Sequence, residues 1–292
     1  MISDNLTWSE FSRINLFLHE LQGAEPIVSV ARLYTEPSSA HVIGYVSKAS
    51  KKMSRVAKEG VIALSGDDKK TSILEVNCET DFVAKNSDFQ EMVKAIANAA
   101  LDVSNTDQLA EASISGKKVS DTLTDNIAKI GENMTLRRME AIEAERVVAY
   151  VHNSAAQDMG QIGVLVAING ENTEFARQVA MHVAAANPQA LSSAELDQSV
   201  VEREKNILTE QARESGKPEQ VIEKMIQGRM KKFLAEVTLL GQDFVINPDL
   251  TVEAAAREAG VEIVSYVRMA VGEGIEKNTE DFADEVMKTI SN

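Results

Sequence analysis

The sequence predicts an α+β fold built from two duplicated subdomains. Each has a small antiparallel sheet with flanking helices, and an inserted antiparallel helical hairpin of coiled-coil type and a C-terminal helix complete the chain. Three observations lead there. Short β-branched-rich runs such as Gly60–Leu64 and Ser72–Cys78 read as strands, while stripes such as Val119, Leu123, Ile127 and Ile130 have helical spacing. The third is an internal repeat: SILEVNCETDFVAKNSDFQEMVKAIANAA and GVLVAINGENTEFARQVAMHVAAAN share a strand, a connection, a phenylalanine near a helix start and an alanine-rich second half. IGENMTLRRMEAIEA matches AGVEIVSYVRMAVGEG in the same way, so a strand–helix–helix–strand unit occurs twice.

In chain order, Met1–Val46 has no sustained period. Pro26, Pro37 and the Ser38-Ser39 pair interrupt it, and Trp8 is isolated. From Ser47 the chain turns basic, with Lys48, Lys51, Lys52, Arg55 and Lys58 as a solvated linker face or a patch for an acidic partner. Gly60–Leu64 and Ser72–Cys78 form a hairpin about Gly66-Asp67-Asp68. A helix from Asp88 to about Leu101 opens on the capping-box spacing of Ser87 and Gln90. After a polar stretch, Val119–Ile130 is a helix closed by Gly131. Met134–Ala141 reads as a strand with Arg146–His152 as its hairpin partner, and strand Ile162–Ile168 leads into a helix from Asn172 or Thr173. That helix turns Phe175, Val179, Val183 and Ala186 inward and stops at Asn187-Pro188. The insertion spans about 188–240: Val200–Ser215, a break at Gly216-Lys217-Pro218, then a stripe of Ile222, Met225, Ile226, Phe233 and Val237. Thr279–Ile290 is the terminal amphipathic helix.

Composition narrows the function. The chain has 292 residues and a net charge of −15, which argues against nucleic acid as a direct partner, because phosphate binding needs a basic surface. The single cysteine, Cys78, sits in an apolar strand and points to a reducing, cytoplasmic compartment. No apolar run approaches ~18 residues, so no membrane span is expected. GxxxxGK[ST] and GxGxxG are absent, and Gly272-Glu273-Gly274 is too short for either. The histidines His19, His41, His152 and His182 lack metal-ligand spacing, so neither a metal site nor a cofactor is expected. Asp81 can be paired on paper with Glu75, Glu79 or His182 as acid–base groups, but carboxylates are too abundant here for such a pairing to be specific.

What stands out is Thr80–Asn86, TDFVAKN, between a strand and a helix. Phe82 either staples the helix entrance or is presented to a partner. The second repeat copy shortens this connection and lacks the Asp-Phe pair, which favours a working loop over a structural necessity.

LEVNCETDFVAKN, with IGENMTLRRM, RQVAMHVAA, ESGKP…KMIQGRMKKF and VRMAVGEGIEK, resembles the bacterial elongation factor Ts family from about Ser47 to the C-terminus. The resemblance implies a translation factor without covalent chemistry that binds the GTPase elongation factor Tu and promotes exchange of GDP for GTP. It assigns nucleotide exchange, through disturbance of the partner's Mg²⁺ site, to Thr80, Asp81, Phe82 and Val83, and partner contact to Ile130, Gly131 and His152. It also implies subdomains at 47–141 and 142–275 and a terminal helix at 276–292. The family opens with a three-helix domain carrying a TGAG-type motif, which Met1–Val46 lacks. That stretch is expected to be either strongly divergent or a frame-shifted reading that rejoins the frame near Ser47. The alternative to exchange is a partner-binding scaffold that leaves nucleotide release unchanged.

Overall fold

The computed structural model describes residues 55–214 and 218–275. The chain divides into two units, Met1–Val46 and Ser47–Asn292, and every described residue lies in the second. The terminal helix expected at Thr279–Ile290, the residues Trp8, His19 and His41, and Lys48, Lys51 and Lys52 lie outside the described residues.

The first strands, β1 (Glu59–Gly66) and β2 (Lys70–Cys78), pair antiparallel as expected. Their turn closes on Asp67, whose carboxylate accepts from the Lys69 and Lys70 amides at 2.8 and 2.9 Å. One helical turn follows, α1 (Asp81–Ala84), then α2 (Ser87–Ala99), continued as a 3-10 turn over Ala100–Asp102. The stretch up to Lys118 folds into α3 (Thr106–Glu111) and a two-residue hairpin, β3 (Ser113–Ile114) with β4 (Lys117–Lys118). Helix α4 (Val119–Ile130) leads to β5 (Met134–Glu143), β6 (Arg146–Ala156) and β7 (Met159–Asn169). After α5 (Thr173–Ala186) come the long helices α6 (Gln198–Glu214) and α7 (Glu219–Val237). The hairpin β8 (Asp243–Phe244) and β9 (Asn247–Thr251), α8 (Val252–Glu258) and β10 (Glu262–Ala270) close the described chain.

The duplication is visible in the pairing. Strand β2 runs into a helix and returns to pair with β5; β7 runs into a helix and returns to pair with β10. Both copies start that helix alike: Asn86 caps α2 by accepting from the Phe89 amide, and Asn172 caps α5 by accepting from the Phe175 amide. Phe89 and Phe175 are therefore the equivalent rings, and both are buried. The expected capping box at Ser87 is corrected to Asn86, one residue earlier, because the amide side chain reaches the third helical nitrogen directly. One expected hairpin is also corrected. Strand β6 pairs with β7 and β5 with β2, so Met134–Ala141 and Arg146–His152 are not partners. The two repeats meet where the start of β7 pairs with β1, which joins their strands into one six-stranded sheet.

Alternation along β1 explains the packing. Val61 and Ala63, with Leu74, Val76 and Cys78 of β2, face α2 and α4 in a first core. Ile62, Leu64 and Ile73 face the other way and meet Val147, Leu165 and Met269 of β6, β7 and β10 in a middle core. Val164, Val166 and Ile168 pack on α5 and α8 in a third. Buried on both faces, β1 reads as the continuous apolar run Val61–Leu64 rather than an alternating one, while β2 sets the buried Glu75 and Asn77 among its apolar residues. Gly163 marks the crossing: a Cβ there would sit 2.6 Å from Ile62 Cγ2 and 3.1 Å from Ile73 Cδ1.

The insertion is the expected helical hairpin. The stripe Ile222, Met225, Ile226, Phe233 and Val237 is half-buried and no residue of α7 is fully buried, while α6 buries only Leu208 and Ala212. The two helices cover one another instead of joining a core. On α5, Phe175, Val179 and Val183 point inward, but Ala186 is exposed at the last turn.

Candidate functional site

The loop after β2 is the most unusual surface feature. Phe82 is 81% exposed, whereas the next residues, Val83 and Ala84, are 7% and 3% exposed. A single helical turn accounts for this: it drives Val83 and Ala84 into the first core beside Cys78 and leaves Phe82 on the outside. Thr80–Asn86 is thus an ordered turn rather than a plain polar connection. The staple reading of Phe82 is corrected, because Phe89, not Phe82, packs at the entrance of α2.

Asp81 is exposed and binds Lys85 one turn on, at 2.7 Å. The Lys85 ammonium holds its carboxyl below the usual carboxylate range. Thr80 precedes the turn in the N-cap position, yet its hydroxyl makes no cap hydrogen bond. It donates instead to Glu132 Oε1 at 2.7 Å, and the Thr80 amide donates to Glu132 Oε2 at 3.0 Å. Next to it the Asn133 amide donates to Glu79 Oε1 at 2.6 Å, and Arg55 pairs with Glu79 at 3.5 Å.

Glu132 and Asn133 lie in the turn that ends α4. Gly131 makes that turn possible with φ of 99°, its amide donating to Ile127 at 3.0 Å. The turn brings Ile130 and Gly131 to the base of the loop, where Ile130 is half-buried against the first core. Lys129 adds an ion pair to Asp88 at the start of α2. His152 does not join this group. It is exposed on β6, which pairs only with β7, and its Nδ1 lies 3.1 Å from the Tyr150 hydroxyl.

The acid–base alternatives are not assembled. His182 is buried in the third core: the Val245 amide donates to its Nδ1 at 3.2 Å and its Nε2 lies 2.8 Å from Gln242 Oε1. Nδ1 is therefore the acceptor and Nε2 carries the proton, so neither nitrogen serves Asp81. Burial pulls the His182 pKa down, with the Gln242 contact partly opposing it. Glu75 is buried and committed to Arg137 Nη1 at 3.1 Å, Arg138 Nε at 2.6 Å, Asn77 Nδ2 at 2.9 Å and the Gly272 amide at 2.8 Å. Cys78 is buried as well; desolvation, with help from Glu132 and Glu59, pushes its thiol up to about 12, which removes it as a nucleophile. Among the described residues no cluster of three or more His, Cys, Asp or Glu side chains could hold a metal, and no helix is long and apolar enough to cross a membrane.

Glu132 was invisible as a site residue in the sequence; Glu79 entered only as a possible acid–base partner of Asp81, and Lys85 only as a member of the TDFVAKN stretch. The only available hint was IGEN, which drew notice for Ile130 and Gly131 and not for the acid beside them.

The family model for Elongation factor TS matches residues 79–273, a span that begins at the loop and ends at Glu273. That for the Penicillin-binding Protein dimerisation domain matches residues 1–69, so the first 46 residues, which lack the opening motif, draw a different likeness. Elongation factor Ts of Ruegeria sp. (strain TM1040) is 60% identical over 243 residues, covering 83% of this chain and 84% of that protein. Elongation factor Ts of Dinoroseobacter shibae is 61% identical over 246 residues, 84% of each chain. That of Paracoccus denitrificans is 58% identical over 248 residues, again 84% of each. With this identity over most of both chains, the protein belongs to the elongation factor Ts family.

Proposed function

We propose that this chain binds elongation factor Tu and speeds the release of GDP from it, acting as a guanine-nucleotide exchange factor in translation and not through covalent chemistry. One observation carries the reading: an aromatic ring 81% exposed on a turn whose other apolar residues are buried. Burying such a ring in a partner is worth about 1.5–3 kcal/mol, and each ~1.4 kcal/mol taken off the release barrier is a tenfold faster rate. Phe82 acts as a wedge and Asp81 disturbs the partner's groups that hold the Mg²⁺; Thr80 and Val83 anchor the turn. Ile130 and Gly131 widen the contact at the base of the loop, and His152 meets the partner separately. The first repeat, 47–141, carries the loop, and the second, 142–275, with its hairpin, supplies further docking surface.

Linkage gives the test. If the factor and GDP weaken one another, the factor's Kd for elongation factor Tu must rise on adding GDP by the same ratio as the GDP Kd rises on adding factor. Titration calorimetry with nucleotide-free and GDP-loaded elongation factor Tu measures both. Equal affinity for the two forms would refute exchange and leave the scaffold reading.

A further inference from the structure

We propose that Glu132 is a positioning residue for the exposed loop: it sets the angle at which Phe82 is presented and thereby the limiting rate of nucleotide release. The inference rests on the exchange reading above and adds a residue to it.

The geometry is that of a ladder carried on by side chains. Strands β2 and β5 end with Cys78 opposite Met134. Continuing that register sets Glu79 opposite Asn133 and Thr80 opposite Glu132, where the chain must already turn away into α1. Backbone carbonyls can no longer supply the acceptors, and two carboxylates do so instead: Glu79 takes the Asn133 amide, and Glu132 takes both the amide and the hydroxyl of Thr80. Hydrogen bonds to a charged acceptor are roughly twice as strong as neutral ones, and two from one residue fix direction as well as distance. The four-residue α1 is far too short to be stable alone, and Thr80 gives it no cap from within. Its orientation is therefore held from outside: Val83 and Ala84 pin its far end in the first core, and Glu132 fixes its start at the residue immediately before Asp81 and Phe82. Glu132 touches no expected partner group itself; it acts through Thr80.

The test uses the full chain with Glu132→Ala, Glu132→Gln and Thr80→Val. In the free protein, amide hydrogen exchange should show Thr80–Lys85 losing protection in Glu132→Ala while β2 and α4 keep theirs. Glutamine restores the links, because its carbonyl can accept from the amide and its NH₂ can donate to the Thr80 oxygen. With elongation factor Tu, Glu132→Ala should lower the limiting rate of GDP release about tenfold, the effect of one lost net hydrogen bond. The half-saturating concentration should change less than threefold, and Glu132→Gln should recover most of the rate. Thr80→Val, which keeps the amide link, should fall between. Unchanged loop protection in Glu132→Ala would overturn the proposal, as would a loosened loop with undiminished release. If the unsubstituted chain itself failed to speed release, the exchange reading would be at fault, and the clamp would be judged on amide protection alone.

Discussion

Replacing Glu75 by glutamine removes one charge and almost no volume, and so isolates the polar knot between the two repeats. In the native protein Glu75 Oε1 accepts from Arg137, Asn77 and the Gly272 amide, and Oε2 from Arg137 and Arg138. Two consecutive arginines reach one carboxylate because the β2–β5 register shifts between Glu75 and Val76, leaving Arg137 as the extra residue of a bulge. A glutamine NH₂ at the Oε2 position would face two guanidinium groups, donor against donor. Breaking a buried pair costs ~3–5 kcal/mol. Here about 3 kcal/mol is expected, because Arg137 and Arg138 keep 26% and 33% of their side-chain surface and water can replace part of the lost partner. Burial pushes the Glu75 carboxyl up, but the Gly272 amide, Asn77 and Arg138 outweigh it and hold it below its ordinary value. A carboxylate depressed in the fold gives stability that is full above its unfolded pKa of about 4.3 and is lost as pH falls through the folded value. Urea unfolding followed by circular dichroism should therefore show the full gap at pH 7 and a shrinking one below about pH 4. Equal stability at pH 7, or a gap that persists in acid, would refute this account of the knot.

Phe82→Ala should change stability by less than about 0.5 kcal/mol, whereas Phe89→Ala should cost about 3–5 kcal/mol, since only the second ring fills the core; urea titration of the pair decides it. Gly131→Ala should destabilise by roughly 1 kcal/mol because an alanine resists the φ of 99° that ends α4, read as a lowered melting temperature. Native Cys78 should react with a disulfide reagent at pH 8 at least about a hundredfold more slowly than in denaturant, as its burial and raised pKa require; comparable rates would contradict the packing. Protonating His182 puts a second donor against the Val245 amide, and its pKa is lowered in the fold, so stability should fall as pH drops below about 6.5. Asp243, Glu236 and Lys232 line the adjacent cavity. Histidine chemical shifts against pH would show it.

The local code of this chain was readable where one interaction dominates. Helix α4, with its stripe and closing Gly131, came out of periodicity residue by residue, and the duplication survived because both copies keep a strand, an Asn cap and a phenylalanine three residues on. Strand partners were harder. Arg146–His152 looked like the mate of Met134–Ala141 because it follows it, but β5 is committed to β2 and β6 to β7, a choice set by long-range burial of Val147 and Leu165. The loop was legible as an anomaly, since a phenylalanine beside an aspartate in a connection needs a reason. Its support was not, because Glu132 is 52 residues from Thr80 and one acid among many. His152 remained where its strand put it, and nothing in the sequence says which face or neighbour it meets.

The decisive measurement is stopped-flow release of fluorescent GDP from elongation factor Tu with the intact chain, Phe82→Ala, and Asp81→Ala with Phe82→Ala. Loss of ~1.5–3 kcal/mol of wedge burial predicts a fall of about tenfold to a hundredfold for Phe82→Ala. The double variant should be slower still, while both remain as folded as the parent. Release as fast with the alanine variants as with the parent would contradict the assignment of exchange to this loop.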